Sequence, residues 1–226
     1  METHLMHIET RRTARVALAG HPGPHIRDVW ILLHGYRQLA ASFLAKCAPL
    51  AGADQLLVAP EGLSRFYLDE TYGRVGASWM TREDREVEIA DQVAYLDEIW
   101  TRIPGWSGPE ARVHVLGFSQ GVATLWRWLL HGQVEPDSVI LWAGRPPQEH
   151  SEALQRRLQQ ARLLLVYGDQ DPFVSSEVAQ QVLEPLQAAF PHLQVHRFRG
   201  QHVVRPAPLA WVQAQLGRHG TADKMG

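Results

Sequence analysis

The 226-residue chain has a single cysteine, Cys47. This excludes an intramolecular disulfide framework and fits a reducing compartment. Cys47 lies in the apolar, helix-like run 40–50, where it reads as a small buried hydrophobe rather than a reactive thiol. No uninterrupted apolar stretch approaches the roughly 18 residues that a membrane-spanning helix needs. The start, Met1-Glu2-Thr3-His4-Leu5-Met6-His7, has neither a basic n-region nor a long apolar h-region, which predicts no signal peptide. An excess of charge is missing too. The 22 Lys and Arg stand against 24 Asp and Glu, and the net charge of −2 gives no footprint for nucleic acid. The expectation is a cytoplasmic protein, monomer or homodimer, with no nucleic-acid partner and no membrane span.

Histidine, at 12 copies, is the residue type that brings a metal site into question. None falls in a His-Glu-x-x-His pattern, no cysteine pair accompanies them, and no dense carboxylate cluster stands nearby. The sequence therefore predicts no metal and no other cofactor.

The patterning alternates between two periods. Residues 29–33, Val-Trp-Ile-Leu-Leu, are a short continuous apolar run, the signature of a strand buried on both faces. Further strands are predicted at 55–59, 113–116, 138–142, 163–167 and 193–198. Helices are predicted at 40–51, 86–100, 120–130, 149–160, 176–189 (interrupted near Pro185) and 208–216. Alternation of this kind implies right-handed crossovers and a mostly parallel twisted sheet with helices on both faces. The first twenty residues predict an N-terminal antiparallel hairpin, with Ile8 and Val16 as candidate core residues. One domain is expected over 1–217, with 218–226 a frayed tail. Residues 60–84, rich in glycine and aromatics, fit no regular element and read as a long functional loop or partial lid near the site.

Gly117-Phe118-Ser119-Gln120-Gly121 matches Gly-x-Ser-x-Gly, with a predicted strand before it and a predicted helix after it. A serine on such a turn faces the free N–H groups and positive dipole end of the following helix. It is a poor nucleophile until a base removes its proton, so a histidine and an orienting acid are required, in the chain order Ser, acid, His. Strand 163–167 is followed by Gly168-Asp169-Gln170-Asp171-Pro172, and strand 193–198 by Arg199-Gly200-Gln201-His202. His202 is the histidine between the final strand and the final helix. Asp171 is favoured as the acid because a residue before proline is held extended, whereas Asp169 also suits a turn that bonds its own backbone. The acid would hold the imidazole tautomer and stabilise the imidazolium. For the oxyanion hole the candidates are the backbone amides of Gln120 and of Tyr36, with Arg37 the alternative to Tyr36, after the strand-ending His34-Gly35.

These motifs carry a resemblance. Leu33-His34-Gly35, Ala59-Pro60-Glu61-Gly62, Ala77-Ser78-Trp79, Gly117-Phe118-Ser119-Gln120-Gly121, Gly168-x-x-Asp171 and Gly200-Gln201-His202 stand in the order of the phospholipase/carboxylesterase family. The chain resembles small bacterial carboxylesterases related to acyl-protein thioesterases, over roughly residues 29 to 216. The resemblance implies an α/β-hydrolase fold and a serine carboxylesterase for short- to medium-chain esters. It also implies Ser119, Asp171 and His202 as a triad and the Tyr36 and Gln120 amides as oxyanion donors. The chain departs from the family at Tyr36-Arg37-Gln38 and over 63–74, segments that flank the acyl or alcohol pocket. Phe66, Tyr67, Trp79, Trp142, Phe173 and Val203 are the candidate residues for binding a small-molecule ester, with Trp79 and Trp142 equally readable as core. Thioesterase or lysophospholipase activity, and a non-catalytic binding protein on the same fold, are the competing readings.

Overall fold

The computed structural model describes residues 1–148, 151–173 and 176–217. In chain order its strands are β1 (Val16–Ala19), β2 (Asp28–Leu33), β3 (Gln55–Pro60), β4 (Ser64–Tyr67), β5 (Val75–Ser78), β6 (Arg112–Phe118), β7 (Ser138–Trp142), β8 (Arg162–Gly168) and β9 (Gln194–Phe198). The helices are α1 (Ala40–Lys46), α2 (Arg85–Trp100), α3 (Ile103–Trp106), α4 (Gln120–His131), α5 (Glu152–Leu158), α6 (Ser176–Ala189) and α7 (Pro206–Leu216). Residues 149 and 150 of the helix predicted at 149–160 and the predicted tail 218–226 lie outside the described residues.

The main sheet has the order β1-β3-β2-β6-β7-β8-β9, parallel throughout except that β1 runs antiparallel to β3. This is the α/β-hydrolase fold. β2 is buried at every position, as its unbroken apolar run requires, because helices cover both faces. Alternate side chains serve opposite cores. Val29, Ile31 and Leu33 join Ile89, Val93 and Leu96 of α2 and Leu125, Trp126 and Leu129 of α4. Trp30 and Leu32 join Phe43 of α1 and Leu209 and Val212 of α7. Cys47 is wholly buried in this second core, and burial pushes its thiol up to about 12, so it is an inert packing residue.

Three local expectations change. The N-terminal antiparallel pairing is present, but its partner is β3, with Val16 opposite Pro60. Residues 1–15 hold no regular element, and Ile8 is 75% exposed rather than in the core, since no strand stands beside it to cover it. Segment 60–84 is not structureless: β4 and β5 pair as an antiparallel hairpin, tied to the body by an isolated bridge between Gln38 and Ala77. α6 runs through Pro185, which sits on its exposed side, where the carbonyl that loses a partner is open to hydration.

At the amino end of the parallel strands, Asp28, His114 and Ser138 bind β2, β6 and β7 together. His114 Nε2 lies 2.9 Å from Asp28 Oδ1, and its Nδ1 lies 3.1 Å from Ser138 Oγ. Arg112 donates to the same carboxylate oxygen at 2.8 Å. Burial raises the Asp28 carboxyl, but the hydrogen bonds and charges of His114 and Arg112 outweigh it and hold the group below the usual carboxylate range. A carboxyl held low stabilises the fold only while ionised, so its contribution is present above the unfolded-state value and lost as pH falls through the folded one. Asp28→Asn is therefore expected to cost about 1–2 kcal/mol near neutral pH. The difference from the parent should shrink as pH drops to about 3, measured by urea unfolding at both pH values. An equal cost at both would contradict this account.

Candidate active site

β6 ends at Phe118, α4 begins at Gln120, and Ser119 makes the whole turn between them with φ 55° and ψ −115°. A positive φ is costly for a residue with a Cβ and persists only where the surroundings enforce it. Here Ser119 N–H donates to Trp142 O at 2.9 Å, and its own carbonyl accepts from Val122 N–H at 3.0 Å. The turn also demands close approach. A Cβ on Gly121 would stand 2.2 Å from Leu33 O, so only glycine lets the first turn of α4 rest on the end of β2. Ser119 is thus held at the carboxyl edge of the sheet, the place where open α/β sheets bind ligands.

The two loops after β8 and β9 meet beside it. His202 Nδ1 lies 2.7 Å from Asp171 Oδ2, and the Asp171 side chain is wholly buried while His202 is partly open. Asp171 Oδ1 accepts from Phe173 N–H at 2.8 Å, so both carboxylate oxygens are engaged. Asp169 serves another purpose, since its carboxylate accepts from Gly200 N–H at 3.0 Å and ties the two loops together. A further tie comes from Gln170 N–H, which donates to Gly200 O at 2.8 Å. The His202 ring is 4.8 Å from Phe118 and 4.9 Å, edge-on, from Phe173. With Nδ1–H given to Asp171, the neutral imidazole keeps its lone pair on Nε2, the form a general base requires.

The loop after β2 is fixed atom by atom. His34 is buried, its Nε2 accepts from Gly62 N–H at 2.9 Å, and its Nδ1 donates to Gly35 O at 2.8 Å. Burial lowers the His34 pKa against the opposing influence of Gly35 and Glu61, in keeping with a neutral ring that accepts at one nitrogen and donates at the other. Gly35 O also accepts from Gln38 N–H at 3.2 Å. Because the peptide is planar and trans, fixing the Gly35 carbonyl fixes the opposite direction of the Tyr36 N–H. Among the described residues the Tyr36 N–H meets no acceptor, whereas Arg37 N–H is taken by Ala77 O at 2.9 Å. The Gln120 N–H, first in α4, has no partner within its helix. The arrangement offers a hydroxyl, an imidazole oriented by a carboxylate, and two uncommitted amides.

Residues assigned to substrate binding divide. Phe66 is half-buried and stacks on Tyr36 at 5.3 Å, Tyr67 is exposed and meets Tyr72 edge-on, and Phe173 is 70% exposed. Val203 follows His202, and its carbonyl accepts from the Trp142 indole N–H at 3.2 Å. Trp142 and Trp79 are core residues: both are buried, and each uses its indole N–H to hold a loop, Trp79 donating to His34 O at 2.8 Å. The sequence reading missed a third device. The Gln120 side chain accepts from Trp79 N–H at 3.1 Å and donates to Met80 O at 3.0 Å. Among the described residues, no group of three or more His, Cys, Asp or Glu side chains is gathered as metal ligands are, and no helix is long and apolar enough to cross a membrane.

The division between the two aspartates is testable. Asp169→Ala should loosen both loops and lower stability by about 1–2 kcal/mol. Asp171→Asn should leave the loops joined and remove the low-field imidazole N–H resonance of His202 in proton NMR. Persistence of that resonance would break the assignment.

The fold recurs in solved proteins. Acyl-protein thioesterase 2 of Zea mays superposes with a TM-score of 0.68 at 19% identity, covering 91% of this chain and 100% of its own. Esterase PE8 gives 0.64 at 19%, covering 91% and 98%. A phospholipase/carboxylesterase of Dyadobacter fermentans gives 0.65 at 16%, covering 92% and 98%. No curated protein matches the chain by sequence. Residues 29–214, which span β2 through nearly all of α7 and include Ser119, Asp171 and His202, match the family described as serine hydrolase (FSH1), and the chain belongs to that family.

Proposed function

We propose that the protein is a carboxylesterase that cleaves short- to medium-chain esters through an acyl-Ser119 intermediate. The observation that carries this is the 2.7 Å bond from His202 Nδ1 to the buried Asp171, with the His202 ring 4.8 Å from Phe118, the residue before a serine held at positive φ on the elbow. His202 Nε2 takes the Ser119 hydroxyl proton as Oγ attacks the ester carbonyl carbon. The carbonyl oxygen becomes an oxyanion that accepts from the Tyr36 and Gln120 N–H groups. Collapse breaks the bond to the leaving oxygen, which carries off the proton from His202 as an alcohol. A water then gives a proton to His202 and adds to the acyl carbon, and loss of Ser119 Oγ, reprotonated by His202, releases the carboxylic acid.

Phe66, Tyr67, Phe173 and Val203 are the proposed substrate contacts. Phe173 supports the assignment best, being a large apolar ring left in water against the His202 edge. Two of the structural neighbours, a thioesterase and an esterase, agree with an oxygen or sulfur ester as substrate.

Ser119→Ala should fold normally, lose turnover of an activated short-chain ester by on the order of 10⁴-fold or more, and escape labelling by a fluorophosphonate. Retained turnover would remove the acyl-serine scheme. A series of esters and matched thioesters of increasing acyl length should give the highest kcat/KM among short to medium esters. A consistent preference for thioesters would make the protein a thioesterase with the same machinery.

A further inference from the structure

The two proposed oxyanion donors sit on elements remote in sequence, the loop after β2 and the first turn of α4; Gly121 brings the two elements together at the Leu33 carbonyl, but among the described residues no backbone hydrogen bond between them fixes the spacing of the donors. β5 and the residues after it span that gap. At one end, Ala77 O accepts from Arg37 N–H at 2.9 Å and Ala77 N–H donates to Gln38 O at 3.2 Å, so β5 is stitched to the loop. At the other end, the Gln120 amide closes on Ser78, Trp79 and Met80. Its Oε1 accepts from Trp79 N–H at 3.1 Å, and its Nε2 donates to Met80 O at 3.0 Å and to Ser78 Oγ at 3.2 Å. Trp79 then returns to the loop through its indole, which donates to His34 O at 2.8 Å while its ring lies 5.0 Å from the His34 ring. That carbonyl belongs to the His34–Gly35 peptide, whose N–H end donates to Gln38 Oε1 at 2.9 Å.

We infer that the Gln120 side chain and the Trp79 indole form a brace that sets the Tyr36 N–H against the Gln120 N–H, making both side chains positioning residues for the oxyanion site. The inference rests on the acyl-Ser119 reading above. Gln120 thus has two separate parts: its backbone amide faces the developing charge, and its side chain determines where the other donor stands. A polar group this deeply engaged needs partners in any fold. What marks it as a brace is that every partner lies on the one segment that also holds the opposite donor's loop. A displacement of a fraction of an ångström weakens a preorganised donor in the transition state without changing how the ground-state ester is held.

The test uses the full chain, p-nitrophenyl butyrate and butylboronic acid, whose tetrahedral serine adduct places an oxygen where the oxyanion forms. Trp79→Phe removes the indole donor and keeps an aromatic ring, and Gln120→Met removes the amide and keeps the length. Each should lower kcat by about 10- to 30-fold with KM within about twofold, and weaken the boronic acid by the same factor as kcat. The double variant should be no more than about threefold worse than the poorer single one, because both substitutions cut one chain of contacts. A double loss equal to the product of the single losses would overturn the shared brace. So would a fall in kcat that merely follows the folded fraction, counted by fluorophosphonate titration. If Trp79→Phe does not accumulate as folded protein, Gln120→Met decides the matter through its kcat, KM and boronic-acid affinity. Unchanged kcat in the variants with an inactive Ser119→Ala defeats the brace and leaves the acyl-serine reading standing; an active Ser119→Ala defeats both.

Discussion

The first turn of α4 touches the end of β2 with no side chain between them, Gly121 against the Leu33 carbonyl. That contact is a packing constraint, and the chemistry is arranged around it. It sets a helix N-terminus beside the loop that starts at His34, so two amides from distant parts of the chain face one serine. It also forces the turn to be made in a single residue, which is why Ser119 carries a positive φ. The strain is held by the Trp142 carbonyl on the neighbouring strand. Parallel pairing of β6 with β7, of β7 with β8 and of β8 with β9 then delivers the acid and histidine loops to the same edge.

Glu61 shows how much of the scaffold converges on this corner. Its buried carboxylate accepts from the N–H of Ala40, the first residue of α1, a helix whose N-cap Leu39 offers no side-chain oxygen. The same carboxylate binds the Arg15 guanidinium through two hydrogen bonds at 2.8 and 2.9 Å, and the next residue, Gly62, donates to His34. One acidic side chain thereby joins the segment leading into β1, the end of β3 and the start of α1.

The parallel strands and most helices were legible because burial on both faces writes an unbroken apolar run, as at 29–33, and helices write a 3.6-residue period, as at 86–100. Ser119, Asp171 and His202 could be singled out because the elbow has a short local signature and the fold constrains where the other two must follow. Asp169 and Asp171 could be ranked but not given separate roles, since which carboxylate meets Gly200 and which meets His202 is decided by the approach of two loops. The same limit hid the Gln120 and Trp79 side chains: a hydrogen bond across about forty residues leaves no periodicity. The hairpin at 64–78 escaped because its strands are short and β5 is made mostly of small residues, Val-Gly-Ala-Ser, so no alternation of apolar and polar residues stands out. The indoles of Trp79 and Trp142 were ambiguous for a chemical reason, as one side chain offers both a large apolar surface and a donor.

That hairpin is closed by its own contacts. Leu68 N–H donates to Arg74 O, and the Asp69 carboxylate collects Thr71, Gly73 and Arg74 around it, while the Arg37 guanidinium of the loop after β2 reaches Leu68 O; among the described residues no strand of the main sheet bonds the tip. Its partner strand is anchored near the loop after β2, while the aromatic groups of Tyr67 and Tyr72 stand in water. A segment built this way can lengthen, shorten or exchange its side chains while the central strands keep their register. Descendants of this chain could therefore drift in what they recognise while the reacting groups stay in place, and diversity between relatives should gather at that tip.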